Sequence, residues 1–135
     1  STVVLLQCTS PLRREGDIAA TVNLVKKSRF DSALTCCEDH KFYWEVSEQG
    51  AAEPINYDPQ NRSMRQNLSK RYQENGSVYA VRTTVIEEEK CRLGGDIGIH
   101  EMPETHSFEI DTYQDLDIVE QLGQTVDFQH CGLLS

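Results

Sequence analysis

The sequence predicts an α/β domain with a mixed, mostly parallel sheet and flanking helices. Residues 2–6 (Thr-Val-Val-Leu-Leu) are almost wholly apolar and barely alternate, the pattern of a strand covered on both faces. A segment of helical period follows, and then a second strand over Asp31–Cys37. The three together read as one β-loop-α-β unit, a right-handed crossover if its strands are parallel.

At 135 residues the chain has the length of one domain and can bury a real core. Hydrophobic residues make up 38% and charged residues 26%, the mix of a soluble globular protein rather than a disordered one. No apolar run approaches the ~20 residues of a membrane span. The formal charge of −9 argues against nucleic acid as a partner, since a phosphate backbone needs a basic stripe. It leaves room for one small anionic ligand held by a few Arg side chains and a metal. Five cysteines at irregular spacing make no disulfide framework, so a reducing cytoplasm is the simpler expectation. Ser1 to Gln7 lacks the basic region and cleavage site of a signal peptide and reads as a strand met in mid-domain.

The elements follow in order. Pro11 breaks the chain after the first strand, and Glu15 to Lys27 is a helix with Ile18, Val22 and Val25 facing inward. Lys26 and Lys27 in its last turn complement the helix dipole. From about Glu38 to Glu74 the pattern changes. Aromatic, strand-like Phe42 to Val46 leads into a polar run containing proline, Ala51 to Ser69. Residues 38–74 therefore read as an excursion or dimerisation arm within a single domain of residues 1–135. Gly76 to Val81 is a strand, Val85 to Lys90 a short helix, Gly94-Gly95 a turn and Ile97 to Met102 a strand. Ser107 to Asp111 is a short strand, and Thr112 with Asp115 forms a capping-box-like start. The last helix runs to about Leu122, with Leu116, Val119 and Leu122 inward and Gly123 closing it. There is no internal repeat, and the tail from Gln124 carries no signal.

Gln7 to Arg13 lies where an apolar strand gives way to a helix. Ligands in α/β folds bind at the carboxyl ends of strands, so Gln7 is well placed to read one. An ordinary turn in which Thr9 and Ser10 cap the helix fits the same residues. Cys36-Cys37 with Asp39 and His40 suggests zinc only weakly, because adjacent strand cysteines face opposite ways and no C-x-x-C spacing occurs. A Cys8 nucleophile served by His40, His100 or His106 has nothing in the sequence to order it.

Three segments carry a resemblance. Val4-Leu5-Leu6-Gln7-Cys8-Thr9-Ser10-Pro11-Leu12-Arg13 resembles the LLQ-x-TSPLR signature of the acylneuraminate cytidylyltransferases. Arg65-Gln66, then Tyr72 and Asn75-Gly76-Ser77-Val78-Tyr79, resemble that family's RQ…NG-x-[IV]-Y segment. Met102-Pro103-Glu104, then Ser107-Phe108-Glu109-Ile110-Asp111-Thr112 and Asp115-Leu116, resemble its MP-x-x-x-S-x-D-I-D-T-x-x-D ending. The matches stand in the family's order and span nearly the whole chain except the tail and parts of the excursion.

The resemblance implies a nucleotide-sugar-transferase-like fold. It also implies an enzyme that joins CMP from CTP to an acidic nonulosonic sugar and releases pyrophosphate. Asp111 and Glu109 would be the catalytic pair holding Mg²⁺. Alternate residues of a strand share a face, and a hard oxygen site suits that ion. The family usually has Asp where this chain has Glu109, which moves one ligand by a methylene. Solvated strand-end acids are the plainer reading of the same two residues. Gln7, Arg65, Asn75 and Tyr79 match positions lining the family's sugar pocket, with Arg65 the natural partner of the sugar carboxylate. By residue type alone Arg65 is equally a surface charge, Asn75-Gly76 a turn pair and Tyr79 a core residue.

The family's nucleotide grip is an N-terminal strand followed by a glycine-rich basic loop, and this chain holds no such motif. The expectation is therefore the latter part of such an enzyme, with its N-terminal part missing and inactive by itself, since phosphoryl transfer depends on charge stabilisation around the phosphates. Two other readings stand beside it: a non-catalytic remnant or assembly module of the same fold, and a cytidylyltransferase for 3-deoxy-octulosonate. Arg65-Gln66 and Asn75 favour the nonulosonate. Phe42, Tyr43 and Trp44 predict a two-fold homodimer, with residues about 41–64 reaching toward the partner.

Overall fold

The structure is a computed structural model, and it describes residues 1–61 and 70–125. The chain divides into two compact units. One comprises Ser1–Glu38 and the described residues from Gln73 onward, and the other Asp39–Tyr72.

The first unit is built on a four-stranded sheet. Its strands are β1 (Thr2–Leu6), β2 (Ser32–Asp39), β5 (Arg71–Arg82) and β6 (Ile97–Glu101), in the order β1-β5-β2-β6. β1 pairs antiparallel with β5, Leu5 opposite Tyr79, and β2 pairs parallel with β6, Cys36 opposite Glu101. The sheet is thus mixed, and three helices accompany it: α1 (Asp17–Lys26), α2 (Thr83–Glu89) and α3 (Tyr113–Thr125).

Two expectations about the opening unit are corrected. β1 is an edge strand, and β5 lies between it and β2. Val3, Val4, Leu5 and Leu6 are all exposed rather than covered on both faces, and as an edge strand β1 has a paired neighbour on one side alone. Nor do Thr9 and Ser10 cap α1. The chain makes a turn there, Ser10 N–H donating to Gln7 O, and the helix starts after Gly16, whose φ of 88° is glycine's own territory.

The inner face of α1 also differs from its apolar periodicity. Asp17, Thr21 and Val25 are buried, whereas Ile18 is exposed. Positions four apart share a helix face, and this face turns toward β6, where His100 meets Asp17 at 2.9 Å. A buried polar stripe is tolerable because it is hydrogen-bonded: the Thr21 hydroxyl donates to Asp17 O at 2.7 Å. The apolar core gathers as Val25, Ala33 and Ala80, with Leu34, Cys36 and Tyr79 as a second cluster. Burying a side chain the size of Val25 or Val78 contributes about 1.5–3 kcal/mol.

Residues 107–111 form no strand, against the alternation of their sequence. A 3₁₀ turn at Glu104–His106 leads into irregular chain. A single backbone bond, Ile110 N–H to Thr9 O at 2.8 Å, ties this chain to the loop after β1. One bond is no ladder. The capping box that follows is present: Asp115 N–H donates to Thr112 Oγ1 at 3.1 Å, and Thr112 N–H to Asp115 Oδ2 at 2.8 Å. In α3 Val119 is buried, Leu116 is exposed, and Gly123 lies buried within the helix rather than closing it. Among the described residues no helix is long and apolar enough to cross a membrane.

The second unit holds a hairpin of β3 (Trp44–Val46) and β4 (Ala52–Pro54), paired antiparallel. Phe42 stacks on Tyr57 with centroids 4.0 Å apart, and Trp44 meets the same ring edge-on at 5.8 Å. Asn56 clasps the hairpin base, accepting from Tyr43 N–H at 2.7 Å and donating to Lys41 O at 2.8 Å.

Candidate active site

The site is assembled around one glycine. Gly76 lies in β5 with φ 69°, a conformation that suits glycine. A side chain there would collide with the side-chain oxygens of Glu109 and Gln7. Gln7, Gly76 and Glu109, one from each of the three matching segments, therefore meet at this point. Two ties bring them together. Arg13 donates from Nε to Ser77 Oγ at 3.0 Å and from Nη2 to Ser77 O at 2.9 Å and Gln7 O at 3.2 Å, fastening the loop after β1 to β5. The bond from Ile110 to Thr9 fastens the segment carrying Glu109 to the same loop.

Asn75 is buried, 4% exposed, and its side chain is fully employed inside the protein. Its Oδ1 accepts from Thr35 Oγ1 at 2.6 Å and Ser77 N–H at 3.2 Å, and its Nδ2 donates to Ser107 Oγ at 3.1 Å and faces Met102 Sδ at 3.5 Å. It acts here as a clamp that shapes the bend at Gly76 and links β2, β5 and the loop after Pro103. Tyr79 is only 2% exposed, and its hydroxyl donates to Glu74 Oε1 at 2.6 Å. Burial, and then the hydrogen bond to Glu74, push that phenol up to about 12. Arg65 lies outside the described residues.

Glu109 is half-buried and Asp111 exposed. They do not project from one strand face, because no strand forms there, yet the charge of Asp111 is felt at Glu109. Burial first, and then the negative charges of Asp111 and Glu74, raise the Glu109 carboxyl above the ordinary carboxylate range. Acids that repel one another in this way suit a cation. Among the described residues no three His, Cys, Asp or Glu side chains gather as a complete metal cage. Two carboxylates are nonetheless the usual protein share for Mg²⁺, which keeps waters and takes phosphate oxygens as its other ligands.

The weaker alternatives gain no geometry. The Cys36 thiol is pushed up to about 11, by burial first, and so stays protonated and unsuited to zinc. His100 Nε2 meets Asp17 Oδ1 at 2.9 Å and His106 Nδ1 donates to Leu12 O at 2.8 Å, contacts that join both rings to residues other than Cys8.

Sequence reasoning passed over Arg13, Glu74 and Arg92. Arg13 stood within the quoted signature and Glu74 directly before Asn75-Gly76, so a signal existed for both. Arg92 had none. Its guanidinium lies 4.2 Å from the centroid of the Tyr79 ring, a contact between residues of separate elements.

No family model matches the chain. It is 33% identical over 119 residues to N-acylneuraminate cytidylyltransferase A of Danio rerio, covering 86% of this chain and 27% of that protein. It is 30% identical over 131 residues to N-acylneuraminate cytidylyltransferase of Oncorhynchus mykiss, covering 95% of this chain and 29% of that protein. It is 25% identical over 129 residues to post-translational flagellin modification protein B of Campylobacter coli, covering 95% of this chain and 55% of that protein. The chain thus spans under a third of the length of the first two and about half of the third. With these relatives beside the three segments that converge on Gly76, the chain belongs to the N-acylneuraminate cytidylyltransferase family.

Proposed function

We propose that this chain supplies the sugar-side half of a cytidylyltransferase acting on an N-acylneuraminate-like acidic sugar. The observation that carries the reading is the meeting of Gln7, Gly76 and Glu109 at the end of the sheet, with Asp111 close enough to be felt by Glu109. In the reaction the anomeric hydroxyl of the sugar attacks the α-phosphorus of CTP. A new O–P bond forms, the bond to the leaving pyrophosphate breaks, and the hydroxyl proton passes to a base. Glu109 and Asp111 would hold Mg²⁺, which when bound offsets negative charge on the phosphates. The Gln7 side chain, free of partners among the described residues, is positioned to orient a sugar oxygen. Arg13 and Asn75 hold that geometry without touching substrate.

The aromatic hairpin supports a two-fold dimer. Trp44, Tyr43, Val46 and Ile55 expose large apolar area on a small unit, the kind of surface that interfaces use as anchors. A reducing cytoplasm suits Cys8 and Cys91, which are exposed and joined in no disulfide.

The test is binding first and turnover second. Titration of the 135-residue chain with N-acetylneuraminate in the presence of Mg²⁺ should show saturable binding that weakens in Asp111→Asn. Fused behind the nucleotide-binding half of a relative, the chain should release pyrophosphate from CTP in a sugar-dependent manner. Absence of both activities would sink the proposal.

A further inference from the structure

Tyr79 carries two opposite charges on one ring. Arg92 lies over its face at 4.2 Å, and Glu74 Oε1 accepts a hydrogen bond from its hydroxyl at 2.6 Å. These two charges do not pair with each other, and neither forms an ion pair with any described residue. Glu74 has Oε1 engaged and Oε2 without a partner among the described residues, and the Arg92 donors are unspent there as well. Both side chains are exposed, while the ring that holds them is buried. Tyr79 is therefore a mount rather than a contact: its own hydroxyl is consumed, and the guanidinium and the carboxylate that touch it are both exposed to solvent. Glu109 belongs to the same neighbourhood, its charge being felt at Tyr79 and the charge of Glu74 being felt at Glu109.

We propose that Arg92 and Glu74, mounted on Tyr79, are specificity-determining residues of this site, with Arg92 receiving the sugar carboxylate and Glu74 accepting from a sugar hydroxyl. This rests on the acidic-sugar reading above and deepens it. The chemistry is the match between a planar guanidinium and a carboxylate, reinforced because the ring pre-organises the guanidinium and lowers the cost of ordering it. The position also answers an electrostatic need. Glu74, Glu109 and Asp111 would repel an anionic sugar, and a cation beside them allows it to approach.

The experiment compares N-acetylneuraminate with its methyl ester, which keeps the hydroxyls and lacks the charge. Both are titrated calorimetrically into the 135-residue chain with Mg²⁺. The unaltered chain should prefer the acid. Arg92→Gln should weaken the acid by about tenfold or more and change the ester by less than about threefold, collapsing the preference. Arg92→Lys should retain part of it. Glu74→Gln should weaken acid and ester alike, because a hydroxyl contact is common to both. An unchanged acid-over-ester preference in Arg92→Gln overturns the inference and leaves the proposed function standing. Failure of the unaltered chain to bind either compound overturns the inference, and overturns the proposed function as well if the fused chain also releases no pyrophosphate.

Discussion

The Asp17 carboxylate and the His100 imidazole meet at 2.9 Å, joining the first turn of α1 to β6. Arg14 closes the cluster, donating its backbone N–H to Asp17 Oδ2 at 2.7 Å and its Nη2 to Oδ1 at 2.9 Å. Asp17 is 2% exposed, so burial alone would raise its carboxyl. The hydrogen bonds from Arg14 and His100 outweigh that and hold it below the ordinary value of 3.8. A carboxyl depressed in the folded state stabilises the fold above its unfolded value, and that contribution is lost as pH falls through the folded value. Asp17→Asn should therefore cost about 1.5–3 kcal/mol near neutral pH. Its deficit relative to the unaltered chain should shrink in acid, below the ordinary Asp value. Urea melts at several pH values measure both effects.

Glu109 should behave oppositely. Its carboxyl is raised in the folded state, so its charge opposes folding above that raised value and not below the ordinary one. Glu109→Gln should raise the melting temperature at neutral pH and lose that advantage in acid, while weakening Mg²⁺ binding. A variant that is more stable and binds the cation less well is the signature of a residue kept for function. Thermal melts with and without Mg²⁺ check it.

Glu109→Asp should keep Mg²⁺ binding, since it restores the residue type usual in the family. Asp111→Asn should remove most of it with little change in melting temperature, because Asp111 is exposed. Binding of Mn²⁺ followed by electron paramagnetic resonance reads the difference directly. Mn²⁺ affinity unaltered in Asp111→Asn would remove that residue from the metal site.

Asn75→Ala should be the costliest of these changes. It would strip the Thr35 hydroxyl and Ser107 of a partner and leave Ser77 N–H unsatisfied in a buried setting. An unmet buried polar group costs about 1–3 kcal/mol, and more than one arises here. Gly76→Ala should cost less, about 1–2 kcal/mol for the left-handed backbone, but should displace Glu109 and Gln7 and so weaken sugar and Mg²⁺ together. Denaturant melts beside binding titrations separate the two variants.

Features that depend on neighbours within a turn or two were legible from residues alone. The helix ending at Lys26, the capping box of Thr112 and Asp115, and the strands at Ser32–Asp39 and Ile97–Glu101 are local chemistry, and local chemistry is what a sequence displays. The three motifs carried the family and named Gln7, Gly76 and Glu109 without any coordinates. Only tertiary structure decided the rest. It set β5 between β1 and β2, and so made an apolar strand an edge. It withheld a ladder from residues 107–111 by giving Ile110 a loop carbonyl as its partner. Burial and long-range hydrogen bonds turned Asn75 into a clamp and Tyr79 into a mount. They also put Arg92 on that ring, 4.2 Å away across 13 positions of chain. Side-chain partners far apart in sequence leave no periodic trace, because nothing in the intervening residues depends on where the chain returns.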